Sequence, residues 1–154
     1  MQLNSRAAKI IQDQIDPWTY QTPNLSREQS FLRLKDQIDA GRLWCLEDKG
    51  VVMLFEMENR YLAQMHLFAS GDVKYSDWTS GGLGILKHVF DKTEIRKIYG
   101  KFTDRRILSL ALRGGFKKEG VLSKAHMLQS GDMIDYYIAG ITRDELYERL
   151  KRYK

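Results

Sequence analysis

The chain has 154 residues, 43% hydrophobic and 29% charged, with a formal net charge of +5. That size and balance suit a globular fold with a real core and exclude a disordered chain. Its single cysteine, Cys45 in the apolar run LWCL, excludes an internal disulfide and a cysteine-rich metal cluster, and reads as a small buried hydrophobe.

In chain order, residues 6–15 (RAAKIIQDQI) predict a short helix ending before Pro17, and residues 17–25 predict a loop. Ser26 opens a second helix, with Gln29 completing a capping-box pattern, Phe31, Leu34 and Ile38 as its apolar stripe, and Gly41 as its stop. Three strands follow at 42–47, 51–58 and 61–69, joined by short turns that predict an antiparallel meander. Alternation in the second strand puts Glu56 and Glu58 on one face and Met53, Phe55 and Met57 on the other. A polar loop, SGDVKYSDWTS, then leads to a helix predicted to start near Gly81, with Leu83, Ile85, Leu86, Val89 and Phe90 as its apolar face.

Residues 95–102 read as a strand and DRRILSLALRGG as a helix, with Ile107, Leu108, Leu110 and Ala111 inward and Gly114-Gly115 closing it. Strands at 116–128 and 133–141 are joined by the hairpin signal QSGD. Thr142 and Glu145 then cap a last helix carrying Leu146, Leu150 and Tyr153. A helix between the third and fourth strands demands a crossover, so the expected class is α+β (α/β), around one largely antiparallel sheet. Residues 1–154 are expected to form one domain, with an N-terminal helix and loop in 1–25 and a C-terminal helix in 142–154.

No apolar run reaches the roughly 18–20 residues of a membrane span. The first residues carry no signal-peptide core, so a soluble cytoplasmic protein with no membrane partner is expected. Charge is uneven. Residues 96–124 hold nine Lys or Arg against Asp104 and Glu119, a local balance of +7. Such a segment suits an anionic partner or a solvated basic face.

Two motifs carry a resemblance. The run from Asp104 through Gly114-Gly115-Phe116 to Glu119-Gly120 resembles a signature of the GNAT superfamily of N-acetyltransferases: an Asn opening an apolar helix, then Gly-Phe and Glu-Gly. Asp104 stands where Asn is usual, and Ala111 stands where many members place a catalytic Tyr. The second motif, Thr79-Ser80-Gly81-Gly82-Leu83-Gly84, is similar to that family's Gln/Arg-x-x-Gly-x-Gly/Ala pattern, with Thr79 in place of Gln or Arg. Glycines at a helix start let backbone N–H groups approach a pyrophosphate.

The resemblance covers about residues 26–141. It implies the acyl-CoA N-acyltransferase fold, a mostly antiparallel mixed sheet with helices on both faces. It also implies acetyl-CoA as cofactor and an amine acceptor, either a small molecule or a protein N-terminus or lysine. The cofactor-binding residues it implies are Thr79, Ser80, Gly81, Gly82, Leu83, Gly84, Asp104 and Arg105. Candidate catalytic groups are His66 as base, Glu56 beside Glu58 as a carboxylate that binds or deprotonates the amine, and Tyr137 beside Tyr136 as an acid for the thiolate. The three histidines lack metal-ligand spacing, so no metal is expected.

Two other functions stay open. The chain is similar to the small, divergent GNAT-like proteins of tailed bacteriophages, which in P22-like phages include a head-assembly or virion-associated protein of this size. That likeness implies phage structural proteins or DNA as partners, and the host cytoplasm or the virion as location. Sequence-independent nucleic-acid binding is the third reading, from the basic segment with Tyr99, Phe102 and Phe116 interleaved.

Overall fold

Side-chain caps start the two N-terminal helices. Asn4 accepts from the Ala7 N–H at 2.7 Å to open α1 (Ser5–Gln14). Ser26 and Gln29 form the expected capping box of α2 (Arg27–Asp39). Gly41 follows in the left-handed region at φ +73°, as a helix stop requires. The structure is a computed structural model that describes residues 3–15, 25–128 and 130–152. The loop predicted over 17–25 and Tyr153 therefore lie almost wholly outside the described residues.

Strands β1 (Trp44–Asp48), β2 (Val51–Met57) and β3 (Leu62–Ala69) form the expected antiparallel meander. Lys49 and Gly50, both at positive φ, make the two-residue turn between Asp48 and Val51. After β3 the chain runs through α3 (Tyr75–Asp77), a π-helical turn (Trp78–Gly82) and α4 (Leu83–Lys92). Then come β4 (Lys97–Phe102), α5 (Arg105–Arg113), β5 (Lys117–Met127), β6 (Met133–Thr142) and α6 (Arg143–Lys151). Among the described residues six strands make one sheet in the order β1-β2-β3-β4-β6-β5. Every pair is antiparallel except β3 with β4, and the crossover between those two is the one the element order demanded.

Helices cover both faces. Val52, Leu54 and Phe68 on one face pack with Ile10 and Ile11 of α1 and with Phe31, Leu34 and Ile38 of α2. Met53, Phe55, Met65 and Ile98 on the other face pack with Leu86 and Phe90 of α4, Ile107 and Leu108 of α5 and Leu146 of α6. The second face is covered from β2 to β6, while β5 stays largely exposed at the edge. The α1–α2 core holds no residue of β4, β5 or β6, so the first face stays open over those strands.

One prediction is corrected. The helix expected to start near Gly81 starts six residues earlier, at Tyr75, and runs without a break through the π turn into α4. Trp78 explains why: this large indole is fully buried and needs the helical backbone ahead of Gly81 to carry it inward.

Candidate functional site

The crossover makes the opening. β3 and β4 pair in parallel from Leu62↔Lys97 to Met65↔Gly100, and there the pairing stops. β3 continues to Ala69 and β4 to Phe102, so the two strands part beyond Met65 and Gly100. A cavity of about 470 Å³ lies in the fork. Its polar lining comes from His66 of β3, Lys101 at the end of β4, Asp104 and Arg106 at the start of α5, and Gln14 at the end of α1.

Each polar group there has a physical reason for its place. Asp104 caps α5 by accepting from the Arg106 N–H at 2.7 Å and the Ile107 N–H at 3.4 Å, so its carboxylate is committed to the helix. Arg106 turns toward β3 and donates to the Ala69 carbonyl at 3.3 Å. Burial pushes the His66 imidazole down to about 4, and the Lys101 ammonium adds to that shift. His66 is therefore neutral at pH 7.

The glycine motif behaves differently from expectation. Thr79 and Ser80 donate their hydroxyls back to the Tyr75 and Ser76 carbonyls, and Lys49 donates to the Ser80 hydroxyl at 2.9 Å. Gly81, Gly82 and Leu83 are buried. A Cβ on Gly81 would stand 2.8 Å from the Asp48 carbonyl oxygen, and one on Gly82 would stand 2.5 Å from the Trp78 ring. These two glycines let backbone and indole come together. Their N–H groups sit inside a continuous helical run, not at its open end. Gly84 faces open space.

Of the predicted catalytic groups, the two glutamates share a sheet face with His66 and Tyr137 does not. Glu56 pairs across from Gln64 on the open sheet face, the same face as His66. Glu58 shares that face and accepts a hydrogen bond from the Tyr99 hydroxyl. Tyr137 lies on the opposite face: it pairs with Phe102, packs against the large core and has the Lys118 ammonium 4.9 Å from its ring centre. Arg105 is exposed at the first turn of α5, and its neighbour Arg106 lines the cavity instead.

Cys45 is buried, and burial pushes its thiol up to about 11, so it stays protonated. Phe102 and Phe116 are buried, which removes two of the three aromatic platforms of the nucleic-acid reading. Among the described residues no group of His, Cys, Asp and Glu side chains could hold a metal ion, and no helix is long and apolar enough to cross a membrane. Gln14 was missed, because an isolated polar residue at a helix end carries no pattern. Lys101 and Arg106 were legible only as part of a charge run.

No protein-family model matches the chain, and no curated protein matches it in sequence. Solved structures do match in shape. Mycobacterium smegmatis RimJ, determined in complex with CoA-disulfide, superposes with a TM-score of 0.68 at 14% identity, over 99% of this chain and 87% of that one. Vibrio cholerae spermidine N-acetyltransferase, in complex with CoA and spermine, gives 0.64 at 12% identity over 96% of both chains. The ribosomal-protein-S5-alanine acetyltransferase of Vibrio fischeri gives 0.62 at 13% identity, over 94% and 92%. The chain has the GNAT fold. In this GNAT-fold protein the fork sits between the two parallel strands, at the end from which both β3 and β4 lead into helices.

Proposed function

We propose that the chain is an acyl-CoA-dependent N-acyltransferase whose cofactor lies in the β3–β4 fork. The observation that carries this reading is the fork itself: a cavity of about 470 Å³ opened by parallel strands that stop pairing at Met65 and Gly100. The solved structures with CoA bound support it by likeness of fold. An acyl-CoA, when bound, supplies a thioester carbonyl activated toward an amine.

The chain's own residues fit such a ligand. Beyond Met65, the edge of β3 turns the backbone of Leu67 and Ala69 toward the fork, because Ser70 points its N–H the other way, to Gly50 of the β2 hairpin. An extended, amide-bearing arm can add to that edge as a strand does. Arg106 and Arg113 lie two turns apart on α5 and reach the end of β3 and the start of α3: Arg106 at Ala69, Arg113 over the Tyr75 ring at 5.7 Å. Two guanidinium groups along one path suit phosphate groups. The predicted cradle at Thr79–Gly84 is replaced in this reading by these arginines and by the start of the helical run near Tyr75.

The amine acceptor approaches from the open sheet face. Glu56 and Glu58 hold its ammonium there, and His66 stands between that face and the fork. A neutral His66 accepts a hydrogen bond from the acceptor nitrogen and orients it for attack. With a value of about 4 it holds a full proton poorly, so the ammonium proton passes on to the carboxylates or to water. Tyr137 lies on the far face, so water would protonate the departing CoA thiolate. Titration calorimetry with CoA and acetyl-CoA tests the reading: saturable binding is expected, and no heat and no thermal stabilisation at millimolar ligand overturns it.

A specific observation favours a second reading, a GNAT-fold protein without turnover; its action in bacteriophage head assembly or as a virion component rests on the sequence resemblance alone. The edge of β3 at Ala69 is already occupied by the chain's own side chains. Mass spectrometry of purified particles checks this reading, and absence of the protein from them counts against it.

A further inference from the structure

The occupant of that edge is Gln14. Its side-chain amide donates to the Ala69 carbonyl and accepts from the Ala69 N–H at 3.2 Å. One primary amide thus makes both bonds that a residue of an added strand exchanges with its opposite number in an antiparallel pair. Arg106 adds a second donor to the same carbonyl. Gln14 is also part of the cavity wall, at the last position of α1. The rest of α1 is held by Ala7, Ile10 and Ile11, buried against β2 and β3 with α2.

We infer that α1 is a gate on the fork: Gln14 occupies the β3 edge in the free protein, and a ligand arm reaching Ala69 must displace it. This inference rests on the cofactor reading above. A single backbone N–H cannot serve two acceptors in good geometry, so Gln14 and an added strand compete for Ala69. Ligand binding then loosens the end of α1, and loosening α1 strengthens ligand binding, since the coupling is reciprocal.

Gln14→Met keeps the length and removes both bonds. Calorimetry of the full chain with CoA is expected to show about tenfold tighter binding for Gln14→Met than for wild type, the worth of one or two net hydrogen bonds. Hydrogen exchange of the wild-type chain is expected to show α1 amides exchanging faster when CoA saturates, with α2 unchanged. Equal affinity in the two proteins, with α1 exchange indifferent to CoA, overturns the gate and leaves the cofactor reading standing. Failure of both proteins to bind CoA overturns both. If Gln14→Met does not fold, Ile11→Val, which weakens α1 docking without touching the fork, replaces it with the same expected direction.

Discussion

The stretch Thr79–Gly84 and the fork at the end of β3 are a matched pair of opposites. The first has a ligand-binding sequence pattern, but two of its glycines, Gly81 and Gly82, are pressed against the Asp48 carbonyl and Trp78. The second has an opening and no pattern: His66, Lys101, Arg106 and Gln14 come from four separate elements. A glycine signature reports that something comes close to the backbone. It does not report whether that neighbour is a phosphate or the protein's own indole. Gly114, from the other motif, makes the same point, because its Cβ would stand 2.9 Å from the same Trp78 ring. The two glycine motifs meet on one buried side chain.

Substitutions should separate the two regions by what they damage. The largest effect is expected from Gly82→Ala, where the new methyl group meets the fused part of a fully buried ring; the loss is about 3 kcal/mol by chemical denaturation. Gly114→Ala, with more room, should cost about 2 kcal/mol. Neither loss should be recovered by CoA beyond the ordinary mass-action gain.

In the fork, acid comes next. The folded value of His66, about 4, lies below its ordinary 6.5, so the unfolded chain takes up the proton first. Stability is fully present above pH 6.5 and is lost as pH falls toward 4, by about 2 kcal/mol. Melting His66→Gln beside wild type across that range checks it: the variant should show a flatter decline. Arg106→Ala should weaken CoA about tenfold while leaving the melting temperature within a few degrees, since its bond to Ala69 lies at an exposed side chain. The smallest effect is expected from Gly84→Ala, which faces open space in a helix interior. It should raise stability by up to about 1 kcal/mol and leave CoA affinity unchanged. A large loss of affinity there would restore the cradle to Thr79–Gly84.

Local chemistry made most of the fold legible. Ser26 with Gln29 and Thr142 with Glu145 form both capping boxes as read from sequence. The short turns gave the meander its register, and Gly115 at φ +107° closes α5 as the paired glycine implied. The start of the helix before Gly81 was not legible, because Tyr75–Trp78 has no strong N-cap and a polar start: Lys74 makes no side-chain cap. The fork was not legible either. It depends on where a parallel register ends, and register between strands separated by a helix leaves no local trace. The shared face of Glu56 and Glu58 could be read from strand alternation, but placing His66 on that face depended on the β2–β3 register, and placing Tyr137 on the opposite face on pairing between β4 and β6.

The account stands on the fork as the cofactor site, and calorimetric titration of acetyl-CoA into the wild-type chain and Arg106→Ala tests that most directly. One saturable site in wild type, about tenfold weaker in Arg106→Ala, is the expected result. Binding that is absent from wild type, or equal in the two proteins, would contradict it.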